Sequence, residues 1–391
     1  MGVIPKIRVD EYSYLLPEER IALYPVSPKD SAKCLVFEGD KIIDCDFQSL
    51  PKHLTKRSTF IVNNTEVIPA RLWFTNESGV SIQIFLLKML DQSAKVWEVL
   101  VGNRRRFKEN KILLLEDAQF KLACKWKDRA ANIIELDSNQ SIMSAIEHFG
   151  KVPLPPYIVR DVKDSDKGDY QTVFAKEKGA VAAPTASLHF TDKLIGDINN
   201  LQISLIPLTL HVSAGTFKPV SVEYADEHEM HAEQFEVEAS TVKALIDSEN
   251  GITAVGTTSC RLLESLYFLG AKILRDGVLE EVFVSSEDGY NPTLLKYTPS
   301  ETLNALMIEI EKRGGKLRGE TQIFMVPGFE FHFTQNIITN FHQPNSTLLM
   351  LISAFVGDKW KEIYQWALEK NYRFLSYGDG SFLRGKKIIS K

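Results

Sequence analysis

The sequence lacks the marks of a secreted or membrane-spanning protein. Its 391 residues include only four cysteines, Cys34, Cys45, Cys124 and Cys260, with no Cys-x-x-Cys spacing and no disulfide framework. We therefore expect buried thiols in a reducing, cytoplasmic compartment. No apolar run approaches the roughly 20 residues that cross a bilayer. The N-terminal residues 1–6 also lack the apolar core of a signal peptide.

Common nucleotide-binding and hydrolase signatures are missing as well. There is no Gly-x-Gly-x-x-Gly after the first strand, no P-loop and no Gly-x-Ser-x-Gly. This disfavours dehydrogenases of the usual nucleotide fold, kinases and α/β hydrolases. His228 and His231 are three residues apart, with no third ligand at a recognised offset, so we expect no metal. His231 and Glu233 remain candidates for proton transfer or substrate hydrogen bonding.

The pattern of short apolar runs changes twice along the chain and predicts two domains. Residues 72–152 carry short alternating runs at the 8–12-residue spacing typical of small all-β units, and we predict an inserted antiparallel β-barrel. Residues 1–71 and 153–391 alternate strands with helices, which predicts an α/β core with a large mixed sheet. A Pro-rich segment, 153–156, marks the return to the core, and the polar stretch 161–169 is predicted to be an exposed loop.

Charge is distributed unevenly over these two parts. The chain has a net charge of -5, which gives no overall sign of a nucleic-acid partner. Residues 72–154 are nevertheless slightly basic, and they contain Arg104, Arg105 and Arg106 beside Phe107. Basic clusters with interleaved aromatic residues can hold phosphates and stack bases. A solvated surface on a small barrel explains the same composition equally well.

Four segments combine apolar residues with threonine, serine, asparagine or histidine. An apolar floor with a few converging polar groups is typical of small-ligand sites, so four such segments predict a composite active site. The segments are 179–190, 211–217, 256–261 and 339–347.

Strand alternation places His211 on one face with Thr209 and Ser213, in a predicted strand 208–213. A second predicted strand, 337–342, likewise places Asn340 and His342 together. A buried structural histidine at a strand end is the competing interpretation of each.

Two helix starts are predicted to bind anions. Thr258 or Ser259 can cap a helix that begins near residue 259, and Ser346 can cap another. Arg261 opposes the helix dipole, which favours anions in the first turn. It therefore either pairs with Glu264 or helps the helix start to hold an anionic ligand.

The chain resembles the S-adenosylmethionine:tRNA ribosyltransferase-isomerase family of queuosine biosynthesis. The resemblance runs from Leu16-Pro17-Glu18-Glu19 through the string 63–71 to Ser376-Tyr377-Gly378-Asp379, and so covers nearly the whole chain. It implies transfer and isomerisation of the ribosyl group of S-adenosylmethionine onto 7-aminomethyl-7-deazaguanine at the tRNA wobble position. The implied products are epoxyqueuosine, adenine and methionine, without a metal or redox cofactor.

Residue assignments follow where this sequence matches the family's strings. For proton transfer they are His211, His342, His189 and Glu233, and which is the base and which the acid stays open. For S-adenosylmethionine binding they are Pro184, Thr185, Gly215, Thr216, Thr257, Thr258, Arg261, Asn340, Ser346 and Thr347. On the tRNA side they are Tyr170, His231 and Asp379, to which charge alone adds Arg104, Arg105 and Arg106. The implied partner is tRNA, with no membrane, and we expect a monomer.

The sequence also departs from the family pattern at several positions. Ser213 and Ser187 replace glycines, Asp169 replaces an arginine, and Gly380-Ser381 replaces Ala-Met. Three alternatives therefore stay open: a paralogue with another substrate, a non-catalytic RNA-binding protein, and a hydrolase using Ser259 or Ser346. Both serines are better explained as helix caps, which disfavours the hydrolase.

Overall fold

The structure, a computed structural model, describes residues 2–213, 215 and 220–385. It is a mixed α/β protein with one large sheet and a separate antiparallel sheet. The helices are α1 (Ile142–Phe149), α2 (Asp166–Asp169), α3 (Asp192–Asn200), α4 (Ala239–Ile246), α5 (Thr257–Asp276), α6 (Pro299–Lys312), α7 (Thr347–Val356) and α8 (Lys359–Glu369). The strands are β1 (Lys33–Glu38), β2 (Lys41–Asp46), β3 (Thr59–Asn63), β4 (Thr65–Val67), β5 (Arg71–Thr75), β6 (Ser81–Met89), β7 (Val96–Val101), β8 (Leu113–Glu116), β9 (Lys121–Asp128), β10 (Ile133–Ser138), β11 (Glu177–Ala180), β12 (Ser204–Leu210), β13 (Glu233–Glu238), β14 (Ile252–Val255), β15 (Phe283–Val284), β16 (Lys316–Thr321), β17 (Asn336–Asn340) and β18 (Gly380–Arg384).

The large sheet has ten strands in the order β15-β16-β13-β12-β3-β14-β17-β18-β1-β2. Its centre consists of four mutually parallel strands, β12, β3, β14 and β17. Both β3 and β14 are buried along their whole length, as expected of central strands covered on both faces. Because the strands are parallel, their carboxyl ends lie at one edge of the sheet, which is where α/β proteins bind ligands.

The separate sheet is built from alternating sequences. In β6 and β9, buried residues alternate with exposed or half-buried ones, and the inward side chains form a core around Trp97 and Leu122. Its strands follow the order β10-β7-β6-β5-β8-β9, and β9 pairs back with β10. The predicted division into a large mixed sheet and a separate antiparallel sheet is confirmed.

Three local predictions were wrong. Strand β12 ends at Leu210 and β17 at Asn340, so His211 and His342 follow the strands instead of lying within them. The segment 161–169 is not an exposed loop throughout, because Asp166 is fully buried. Its carboxylate accepts hydrogen bonds from Arg160 and from the hydroxyl of Tyr377, which ties the segment to the core. The prediction was wrong because one carboxylate in this polar run is buried with hydrogen-bond partners that the sequence does not reveal.

Among the described residues, no helix is long and apolar enough to cross a membrane.

Candidate active site

The parallel strands bring three of the predicted polar segments to one edge of the large sheet. The chain leaves β12 at His211, β14 at Gly256 and β17 at Phe341, and these points lie beyond neighbouring carboxyl ends. The fourth segment forms a short 3-10 helix, Thr185–His189, which joins this edge through a hydrogen bond from the Thr185 hydroxyl to Asn340 Oδ1 (2.8 Å). Strand topology thus brings the four predicted polar segments together at this edge.

A first cavity lies among these segments. Its lining includes many of the predicted residues: Pro184, Thr185, Thr257, Thr258, Asn340, His342 and Ser346. Tyr157 and Ser376 also line it, and their hydroxyls are 2.6 Å apart. Threonine, asparagine and histidine groups beside the apolar Ala183 and Leu348 can orient a small polar ligand without a bound metal.

Asn340 is the centre of a hydrogen-bonded chain at this cavity. Its Nδ2 donates to His189 Nε2 (3.1 Å), while its Oδ1 accepts from Thr185. His189 is buried and stacks on Phe47, with ring centroids 4.3 Å apart. Burial, followed by repulsion from the Arg373 charge, lowers the pKa of His189 to about 3. His189 is therefore neutral at pH 7, and it lies behind the cavity wall, hydrogen-bonded to the lining residue Asn340.

His342 lines the same cavity directly. Its Nε2 lies 2.9 Å from the Thr339 hydroxyl, and its backbone N–H donates to the Tyr364 hydroxyl (3.0 Å). Burial lowers the pKa of His342 to about 3, so the imidazole is neutral near pH 7. A neutral imidazole beside a cavity can accept a proton or a hydrogen bond.

A second cavity contains a buried ion pair. Arg261 forms a salt bridge with Glu233, and both side chains are almost fully buried. Of the two alternatives left open for Arg261, pairing with Glu264 is excluded, because its partner is Glu233. The Glu264 carboxylate instead accepts backbone N–H groups from His332, Phe333 and Thr334, three residues that lie far away in sequence.

The guanidinium of Arg261 has spare hydrogen-bonding capacity. Its Nε and Nη2 are buried and have no hydrogen-bond partner among the described residues. Buried polar groups nearly always have partners, and each orphaned donor costs about 1–3 kcal/mol. Two such donors on one cation beside a cavity can bind an anionic or carbonyl group.

A third, larger cleft of about 530 Å³ lies between the antiparallel sheet and the core. It shares Ser213, Gly215 and His231 with the second cavity, which in turn shares Leu348 with the first. A Cβ at Gly215 would overlap the His231 ring, so any larger residue here would force that ring to move. The three spaces are therefore neighbours in a row, each with lining residues in common with the next, from the cleft to the cavity of Asn340 and His342.

The two helices that begin at the site start in different ways. α5 starts after Gly256, whose φ of 93° turns the chain sharply, and no side chain caps it. The prediction that Thr258 or Ser259 caps this helix was wrong, because the Ser259 hydroxyl donates back to the Val255 carbonyl (2.8 Å). In α7 the predicted cap is confirmed: Ser346 Oγ accepts the N–H of Leu349 (3.2 Å).

Some predicted residues lie beside these cavities without lining them. His211 is half-buried, and its Nδ1 is 2.8 Å from the Thr65 hydroxyl; burial lowers its pKa. Tyr170 is buried against Tyr377. The Asp379 carboxylate accepts the N–H groups of Lys33 and Arg373, which holds the C-terminal turn to β1.

The predicted basic cluster lies on the antiparallel sheet, close to the cleft. Arg104, Arg105 and Arg106 form one 3-10 turn on the antiparallel sheet, two residues beyond Gly102 in the lining of the cleft. Thr347 lines the second cavity, whereas Thr216 lies outside the described residues.

The departures from the family pattern are also located. Ser213 lines both the second cavity and the cleft. Ser187 is buried, and its hydroxyl has no partner in the described part of the chain. Asp169 does not line the cavities described above; its carbonyl accepts a hydrogen bond from Lys29 (3.3 Å). Gly380 and Ser381 begin β18, and both are buried. In the described ranges, no group of three or more His, Cys, Asp or Glu could hold a metal ion.

The sequence reasoning missed several lining residues. Tyr157, Thr339 and Ser376 line the first cavity, and Arg71 and Phe85 line the cleft. Arg71 stands at the end of the string 63–71 that carries the family resemblance, but no neighbouring residue in the sequence indicated a binding role for it. Thr339 and Ser376 begin the segment 339–347 and the string 376–379, but neither was assigned a role. Tyr157 and Phe85 have no local signal, because their positions depend on contacts between distant segments.

The chain is similar to known proteins over nearly its whole length. The family model described as "Queuosine biosynthesis protein" matches residues 9–383. The S-adenosylmethionine:tRNA ribosyltransferase-isomerase of Halothermothrix orenii is 38% identical over 386 residues, 96% of this chain and 100% of that protein. The protein of the same name from Nitrosomonas europaea is 34% identical over 98% of each chain. A crystal structure of S-adenosylmethionine tRNA ribosyltransferase from Thermotoga maritima is 26% identical, covers 95% of this chain and 99% of that one, and has a TM-score of 0.47.

Proposed function

Because this chain belongs to the queuosine biosynthesis protein family, we propose that it is an S-adenosylmethionine:tRNA ribosyltransferase-isomerase. It transfers the ribosyl moiety of S-adenosylmethionine to 7-aminomethyl-7-deazaguanine at the tRNA wobble position and isomerises it, giving epoxyqueuosine, adenine and methionine. The observation that carries the proposal is the convergence of all four polar segments on two adjacent cavities. The alternative of a non-catalytic RNA-binding protein leaves that convergence unexplained.

In this proposal Arg261 binds the carboxylate of the methionine portion. The orphaned Nε and Nη2 groups provide two donors, and the Glu233 bridge holds the guanidinium in position. A planar guanidinium matches a carboxylate in a bidentate geometry, which a lysine could not reproduce. The nucleoside portion then extends past Leu348 into the first cavity, toward Thr185, Asn340 and Thr257.

His342 is the proposed base for the C5′ proton, which the adjacent sulfonium acidifies. The Thr339 hydroxyl donates to the Asn340 carbonyl (3.3 Å) and therefore accepts from His342 Nε2–H. This tautomer leaves Nδ1 as the basic atom. Since the pKa of His342 is about 3 in the free protein, proton removal depends on the acidity that the sulfonium confers. His211 does not line these cavities. In this proposal its hydrogen bond with the Thr65 hydroxyl holds the start of the loop after β12 in place.

The tRNA partner fits the two-part organisation. We propose that residues 72–152 are an inserted β-barrel domain and that 1–71 together with 153–391 form the catalytic core. The cleft between these parts shares His231 with the cavity that contains Arg261. A base in a single-stranded loop can be turned into such a cleft without melting a duplex.

Adenine release tests the proposal. Purified protein is incubated with S-adenosylmethionine and tRNA carrying 7-aminomethyl-7-deazaguanine, and adenine is measured by chromatography. We expect release with the modified tRNA and none with unmodified tRNA. Bound tRNA without adenine release would refute the activity. Release that depends on a different base would instead identify another substrate.

A further inference from the structure

Arg71 is a half-buried cation that the proposed chemistry does not use. It begins β5, where the chain enters the antiparallel sheet, and it lines the cleft. Its Nη2 donates to the Leu154 carbonyl (3.2 Å), but its buried Nε has no partner among the described residues. No carboxylate in the described part of the chain lies within salt-bridge distance of it, and burial lowers its pKa. An uncompensated cation in a cleft indicates an anionic ligand.

The surroundings of Arg71 are suited to nucleic acid. Its guanidinium lies over the Phe85 ring, 4.9 Å from the centroid, and both groups face the cleft. Leu100, also in the lining, is 47% exposed. The arginine turn 104–106 starts two residues after Gly102, so no more than about 7 Å of chain separates it from the rim. Aromatic and apolar surface with interspersed arginines is the combination that binds single-stranded nucleic acid.

Neither of the two acidic groups near the cleft forms a salt bridge with Arg71. Glu98 is the carboxylate in the lining. Lys88, also in the lining, is paired with Glu320 of the core (2.8 Å), which ties the antiparallel sheet to β16. Arg71 is therefore left without a carboxylate partner among the described residues, in a cleft that shares His231 with the cavity of Arg261.

We propose that this cleft binds a single-stranded RNA loop and that Arg71 holds one of its backbone phosphates. The inference rests on the proposed function, since it names the surface on which the tRNA substrate lies. The phosphate contact positions the loop so that the target base passes Phe85 and reaches His231. Arg71 is thus a positioning residue, and it does not touch the reacting atoms.

The salt dependence of tRNA binding tests the phosphate contact. Binding of the anticodon stem–loop is measured by fluorescence anisotropy at several salt concentrations for the wild type, Arg71→Gln and Arg71→Lys. We expect Arg71→Gln to weaken binding and to reduce the slope of log K against log salt by about 0.7, as for one lost contact to a single strand. Arg71→Lys retains the charge and should retain the slope. Arg275→Gln, fourteen residues beyond Arg261 and so about 21 Å along α5, is the matched control.

A second pair of variants covers the case in which Arg71 is needed for folding. Leu100→Glu places a negative charge in the cleft, and Leu114→Glu places one on the same sheet away from it. Both leucines are exposed, at 47% and 40%, so folding should tolerate both changes. We expect Leu100→Glu to weaken RNA binding roughly tenfold or more, and Leu114→Glu to have little effect.

The outcomes separate this inference from the proposed function. In every variant, S-adenosylmethionine binding by calorimetry should match the wild type, because none of the substituted residues lines the two cavities assigned to that ligand. A wild-type slope in Arg71→Gln, or equal effects of Leu100→Glu and Leu114→Glu, overturns the inference even if the wild type releases adenine. Absence of adenine release by the wild type overturns the proposed function instead.

Discussion

The ion pair between Arg261 and Glu233 allows a sharp test of ligand binding. Arg261 is 6% exposed and Glu233 is 2% exposed, so removing one partner leaves an uncompensated buried charge. Such single changes cost about 3–5 kcal/mol in stability. We therefore expect Arg261→Gln to be strongly destabilised, and the double variant Arg261→Gln/Glu233→Gln to recover much of that loss.

Affinity should follow a different pattern from stability. If Arg261 donates to the ligand carboxylate, its loss removes a charge-assisted hydrogen bond of about 1.5–3 kcal/mol, or about 10- to 150-fold in Kd. The double variant, being stable, should show that loss for S-adenosylmethionine. It should bind 5′-methylthioadenosine, which has no carboxylate, as tightly as the wild type does.

Calorimetric titration of both ligands into both proteins gives the answer. Equal weakening of the two ligands would mean that the site is distorted, and unchanged affinity for S-adenosylmethionine would mean that Arg261 binds something else. Either result refutes the assignment. Urea unfolding of the same proteins shows whether folding accounts for any part of the effect.

Three further changes have defined outcomes. Burial lowers the pKa of His332 to about 4, below its unfolded value of about 6.5. The contribution of this group to folding stability is therefore present above pH 6.5 and lost as the pH falls toward 4, which should lower the stability at pH 5 by about 2 kcal/mol relative to pH 8. In urea unfolding at several pH values, His332→Gln should remove that part of the pH dependence. Asp166→Asn leaves Arg160 without its buried partner and should cost about 3–5 kcal/mol in unfolding free energy; a loss below 1 kcal/mol would contradict this account. Ser259→Ala removes only a bond to the Val255 carbonyl, so adenine release should stay within a few-fold of wild type, whereas loss of turnover in a folded variant would revive a nucleophilic serine.

The sequence by itself determined the local elements with strong periodicity. The alternating run 96–101 forms β7 and the short apolar run 252–255 forms β14, because each pattern is contained within a few neighbouring residues. The same holds for the cap at Ser346, which involves only the first turn of its own helix. The polar segments could also be found, since threonine, histidine and asparagine in an apolar run are unusual wherever they fold.

Tertiary structure decided which of these groups meet and what state they are in. Glu264 was the nearest candidate partner for Arg261, yet Glu233 arrives from a different strand, and three backbone N–H groups from 332–334 take the Glu264 carboxylate. Likewise, nothing near His189 in sequence indicates that Asn340 occupies its Nε2. Partner choice depends on strand order and on burial, both of which involve residues far apart in the chain. Arg71 kept an unpaired charge for the same reason: its environment is made where two distant stretches of chain meet.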